Sequence, residues 1–189
     1  QDVYNFVLQE EPKLLSKTLA GLFHTRTDLK LTEKLAQKLY TIDKNTIAPV
    51  LTDPAQDGTS STNVAVNFQL LENAYSQTVI MTFHCTGLPS GYSSIADRII
   101  TFKPICESAG TYSFTIDGST LSNSTYILNV STSGSEGNKL FDGATYDVKL
   151  EYKDALGNNI NYVTNSNFKY ETTPPHATIG PVTTPRNTN

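Results

Sequence analysis

Residues 142–175 read DGATYDVKLEYKDALGNNINYVTNSNFKYETTPP. Tyr146, Val148, Leu150 and Tyr152 alternate strictly with Asp147, Lys149 and Glu151. That is the two-residue period of a strand with one face in a core and the other in water. Asp154 to Asn159 (DALGNN) supplies residues that tolerate φ > 0, so the chain is expected to reverse there. Tyr162, Phe168 and Tyr170 then carry a return strand to a Thr-Thr-Pro-Pro stop. The expectation is a β-hairpin followed by an outgoing linker.

The same period recurs upstream. Val64, Val66, Phe68 and Leu70 form one alternating segment, and Val79, Met81, Phe83 and Cys85 a second. Ile100 with Phe102, then Tyr112, Phe114 and Ile116, then Tyr126, Leu128 and Val130 follow. Turn-forming runs such as DGTSS, GLPSG, DGSTLS and SGSEGN separate them. Short strands at this spacing, without a helix long enough for a crossover, predict an all-β fold: an antiparallel β-sandwich of about seven strands.

Residues 1–47 carry a mixed signal. Leu14, Leu15, Leu19, Leu22 and Phe23 approximate a helical stripe, whereas Val3 to Leu8, Asp28 to Leu31 and Lys38 to Ile42 alternate like strands. An internal comparison explains the mixture. Tyr40 to Asp43 runs to Pro49 and on to Pro54, just as Phe168 to Glu171 runs to Pro174, Pro175 and on to Pro181. Pro49 and Pro175 lie 126 residues apart, the length of one sandwich. Tandem modules handing the chain on through proline joints produce such an echo. The division expected is therefore the tail of a preceding module in 1–47, a sandwich in 48–172, and a Pro/Thr-rich linker or the start of a next module in 173–189. Pro49, Pro174 and Pro175 are the linker residues, stiffened because proline fixes its own φ and holds its predecessor extended.

Composition narrows the setting. The 189 residues carry a net charge of -4 and only 17% charged side chains, with no cluster of Lys and Arg. A nucleic-acid partner is disfavoured, since phosphate neutralisation needs a basic stripe. No run approaches the ~20 apolar residues of a membrane span.

At this point DGATYDVKLEYKDALGNN followed by FKYETTPP resembles the closing hairpin and outgoing joint of Ig-like, cadherin-like repeats of large secreted and surface proteins. Asp142-Gly143, Tyr146, Asp154, Gly157-Asn158 and Thr172 to Pro175 carry the likeness. Such repeats occur in bacterial adhesins and in extracellular filaments, including proteins similar to mastigoneme (flagellar hair) shaft proteins of heterokont algae. The resemblance implies an extracellular structural or adhesive module whose partners are neighbouring modules or copies of itself. The alternative it leaves open is a glycan- or protein-receptor domain that binds through its end loops, with Tyr92 in Gly87 to Ser94 (GLPSGYSS) as the suspect. Glu171 stands where the pattern often has Asp, which removes one interdomain Ca²⁺ ligand.

Few residues suggest chemistry. Cys85 and Cys106 are the only cysteines, and an even count in an extracellular setting favours a disulfide. A simple hairpin between their strands would instead hold them roughly 20 Å apart at ~3.3 Å per residue, so a bridge requires a fold-back at Pro104 or two different sheets. Asn123-Ser-Thr125 and Asn129-Val-Ser131 are N-glycosylation sequons, with Asn129 expected to face outward opposite Tyr126, Leu128 and Val130. Asp142, Asp147, Glu151 and Asp154 are the carboxylates from which a Ca²⁺ site would have to be built; turn-making and solvated strand faces are their commoner use. His24, His84 and His176 lack metal-ligand spacing. No cofactor is called for, and no nucleophile and base can be paired into an enzyme.

Overall fold

A computed structural model describes residues 44–174. Nearly all of them belong to one compact unit that begins at Asn45. The readings of residues 1–43, the first half of the internal echo, and Pro175 with His24 and His176 lie outside the described residues.

The fold is all-β, with nine strands among the described residues. In chain order they are β1 (Val50–Asp53), β2 (Thr59–Ser60), β3 (Asn63–Leu70), β4 (Ile80–Gly87), β5 (Arg98–Phe102), β6 (Gly110–Asp117), β7 (Ile127–Ser131), β8 (Ala144–Tyr152) and β9 (Asn161–Tyr170). A single 3₁₀ turn covers Pro104–Cys106. All seven alternating segments of the sequence become strands. The additional two, β1 and β2, are short pieces flanking the Asp53-Pro54 joint.

The strands form two sheets, ordered β1-β3-β6 and β2-β9-β8-β4-β5-β7. Every pairing is antiparallel except that of β2 with β9. The expected hairpin lies within the larger sheet, between β2 and β4: Tyr152 pairs with Asn161 and Ala144 with Tyr170. Its turn is held by Asp154, whose carboxylate accepts from the amides of Leu156 and Asn158 at 3.0 Å each, while Gly157 adopts φ 82°.

One apolar core joins both sheets. Val64, Val66, Phe68 and Leu70 from β3 are buried with Met81 and Phe83 from β4 and with Tyr146, Val148, Leu150 and Tyr152 from β8. The Phe68 ring lies 5.4 Å from Phe102 of the other sheet and 5.0 Å from Tyr112.

The expected inward facing of Leu128 fails, and Tyr162 faces outward for the same reason. Tyr162 is 58% and Leu128 45% exposed. On β9, Tyr146 pairs with Phe168 but Val148 with Asn165, so β9 contributes an extra residue, and Asn167 takes φ 61° there. On β7, Thr101 pairs with Asn129 but Phe102 with Ile127. A β-bulge inverts parity beyond it, so Val163 packs inward in place of Tyr162, and Ile127 in place of the expected Leu128.

Candidate functional site

The chain meets the larger sheet at two ends. At the inlet end, Thr46 is buried; its hydroxyl accepts from the Asp154 amide at 3.1 Å and its carbonyl from the Asn161 side chain at 2.8 Å. At the outlet end, the Asp142 carboxylate accepts from the amides of Thr172 and Thr173 and from the Thr173 hydroxyl. The two fastenings are separated by the length of β8, about 30 Å for nine residues. The Thr173 hydroxyl, and then the Thr172 amide, hold the Asp142 carboxyl well below the usual carboxylate range.

The outlet end is also where the long connections gather. Residues 88–97 join β4 to β5, and residues 132–143 join β7 to β8. The second is pinned from below by Arg98, which is fully buried. Its Nε donates to the Lys139 carbonyl at 3.1 Å, and its Nη1 to the Ala96 carbonyl and, at 3.1 Å, to the Thr132 hydroxyl. Its Nη2 faces Glu136 Oε2 at 3.8 Å, and its guanidinium lies 5.2 Å from the Phe141 ring centre. Two further bonds complete the anchorage: the Phe141 amide donates to the Tyr146 hydroxyl at 2.8 Å, and the Leu140 amide to the Gly118 carbonyl at 2.7 Å. Burial pushes the Tyr146 phenol up to about 12, so it stays a neutral acceptor. Gly118 is required: an added Cβ would stand 2.4 Å from the Tyr170 ring.

These connections border an open surface pocket of about 520 Å³. Leu140, Phe141 and Tyr170 line it from the core, Tyr92 and Pro89 from the 88–97 connection, and Asp142 beside the outgoing chain. Tyr92 stands edge-to-face against Phe141 at 4.8 Å and remains 43% exposed. The sequence singled out Tyr92 and Asp142. It did not single out Arg98, whose signal is one basic residue at an inward position of a strand otherwise reading Ile-Ile-Thr-Phe.

The remaining expected site residues disperse. Cys85 on β4 and Cys106 in the 3₁₀ turn are both free thiols, so the expected disulfide is corrected. β4 and β5 do pair as the simple hairpin, Ile80 with Thr101 and Phe83 with Arg98, which puts Cys85 at the outlet end and Cys106 at the inlet end. Burial raises both thiols above their ordinary range, Cys106 to about 12. The consequence is testable: iodoacetamide without reductant is expected to label half-buried Cys85 slowly and Cys106 only on unfolding, read by peptide mass spectrometry. A linked pair of peptides would contradict the structure.

Asn129 is exposed on the edge strand β7, open to a glycan. Asn123 is half-buried and committed to its turn: its Nδ2 donates to the Thr115 carbonyl at 2.7 Å and its Oδ1 accepts from the Thr125 amide at 3.0 Å. The four carboxylates considered for Ca²⁺ are each engaged separately. Asp142 and Asp154 hold their turns at opposite ends of β8, Glu151 pairs with Lys149 at 2.8 Å, and Asp147 accepts from the Asn167 amide. Among the described residues no three His, Cys, Asp or Glu side chains gather as a metal site. His84 meets Asp97 at 2.7 Å on the surface. Pro49 is buried and Pro174 exposed. Among the described residues no helix is long and apolar enough to cross a membrane. No family model, no characterised protein and no solved structure matches the chain.

Proposed function

We propose that residues 45–174 are an Ig-like β-sandwich serving as a structural or adhesive spacer in an extracellular tandem assembly, its partners being neighbouring modules or copies of itself. The observation that supports this reading is the path of the chain. It is fastened at Thr46 on one end of the larger sheet and at Thr172 and Thr173 on the other, with β8 spanning the distance between them. A segment fixed at both ends of a stiff body transmits position along a row, which a spacer needs and a pocket protein does not. Pro174 follows the second fastening directly, and its ring fixes φ where the chain leaves the sheet. The filament setting rests on the resemblance of residues 142–175 to adhesin and flagellar-hair repeats, and the extracellular setting on that resemblance together with the exposed Asn129 sequon. The test is immunogold electron microscopy of native material with an antibody against this chain. Label at a regular spacing along an extracellular fibre or surface layer is expected; label confined to the cell interior would overturn the reading.

The outlet fastening predicts a pH dependence. Asp142 has its carboxyl depressed by hydrogen bonds that exist only in the folded chain. A group of this kind contributes stability that is present above its unfolded pKa and is lost as pH falls through the ordinary carboxylate range toward its folded value. Asp142→Asn is therefore expected to destabilise the chain at pH 7 and to flatten the fall in thermal midpoint between pH 5 and about 2. The size is small because the carboxylate is exposed. Parallel pH profiles of the two proteins would refute the fastening.

A further inference from the structure

We propose that the outlet pocket is a saccharide site, taking a neutral sugar ring with Tyr92 as its stacking platform. The volume of about 520 Å³ lies inside the ~300–1,000 Å³ of small-ligand sites. The pocket is held in shape before any ligand arrives. Phe141 is fixed by the Tyr146 hydroxyl and by the Arg98 guanidinium behind it, and Tyr92 leans edge-to-face on Phe141. A preorganised aromatic loses little freedom when a ring settles on it.

The polar groups choose the ligand class. One carboxylate (Asp142) and one ammonium (Lys139) line the pocket, so there is no excess charge to select an ion. A wholly apolar ligand would strip water from both without replacing it. The hydrogen-bonding capacity left over is of both kinds. The amides and hydroxyls of Thr172 and Thr173 fill the roughly four lone-pair positions of the Asp142 carboxylate, so the acceptor a ligand could use lies elsewhere. The Ser119 hydroxyl donates to Asp117 at 2.7 Å, which leaves its oxygen as an acceptor. Lys139 can only donate. Adjacent acceptors and donors match hydroxyls that must both give and receive, while the C–H face of a sugar carries the positive edge that the negative face of Tyr92 attracts. A peptide docking as an added strand is not favoured, because β8 and β9 beside the pocket are already paired on both sides.

The spacer reading and this site stand apart: a module that binds no sugar can still space, and one that binds can still lie outside any fibre. The experiment is a titration of the ¹⁵N-labelled full chain with methyl glycosides of glucose, galactose, mannose and N-acetylglucosamine. At least one is expected to give saturable shifts confined to the amides around Tyr92, Ser119, Lys139 and Asp142. Tyr92→Ala is expected to weaken that binding about tenfold, and Tyr92→Phe, which keeps the ring against Phe141, to retain it with the thermal midpoint of the parent. The proposal is overturned by an absence of saturable shifts with all four probes, by Tyr92→Ala binding as well as the parent, or by a Thr/Pro-rich peptide occupying the same amides in place of the sugars.

Discussion

Arg98→Met is expected to destabilise the chain by about 3–5 kcal/mol, the range for removing one partner of a buried charged network. Methionine keeps most of the volume, so the loss measures the guanidinium rather than a cavity. The part-buried Lys139 and Ala96 carbonyls lose their donor, each at up to about 1–3 kcal/mol where water cannot replace it. Glu136 loses the only cation beside its buried Oε2, which already lacks a hydrogen bond among the described residues. Arg98→Lys restores charge without the planar fork and is expected to recover only a minor part. Urea unfolding measures the difference directly. Because these bonds pin residues 132–143, Arg98→Met is also expected to speed amide exchange at Leu140 and Phe141, whose bonds to Gly118 and Tyr146 depend on the same connection. A variant within 1 kcal/mol of the parent would show that the buried guanidinium is no more than a space-filler.

Much of the fold was legible because it rests on parity. In β8 the inward positions, Tyr146 to Tyr152, are all buried, and each outward one is half-exposed. β3 reads the same way from Val64 to Leu70. Parity fails only past a bulge, and the bulges at Asn167 and Leu128 left little mark in the composition: Asn tolerates φ > 0 without requiring it. Sheet order was not legible, since alternation says which face is buried but not which strand lies alongside. That order decides the fate of the cysteines, because pairing β4 directly with β5 sends Cys85 and Cys106 to opposite ends. The site was legible only at its rim. Tyr92 and Asp142 sit in runs that announce turns, whereas the role of Arg98 depends on residues 34–41 positions away that only the folded topology brings beneath the same connection.

Phe68→Ala is expected to cost about 3–5 kcal/mol, the usual range for a fully buried phenylalanine. Its position makes the upper part of that range the expectation. Among the described residues no strand pairing joins the two sheets; β1-β3-β6 is held to the larger sheet by side-chain packing, aided by bonds such as those from Asn165 to the carbonyls of Leu51 and Pro54. Phe68 lies at the centre of that packing, touching Phe102 across the gap and Tyr112 and Phe114 beside it, with Phe114 in turn stacked on Tyr126 at 4.1 Å. Its removal opens a void that rings fixed on two sheets cannot collapse to fill. Phe68→Leu, which keeps most of the volume, is expected to lose about half as much. The location of the damage is as informative as its size. Hydrogen exchange should show the β3–β6 ladder losing protection before the β4–β8 ladder, because the smaller sheet depends on the cluster while the larger has six strands of its own pairing. Equal loss in both ladders would mean that the two sheets open only together, and that Phe68 does not hold one to the other.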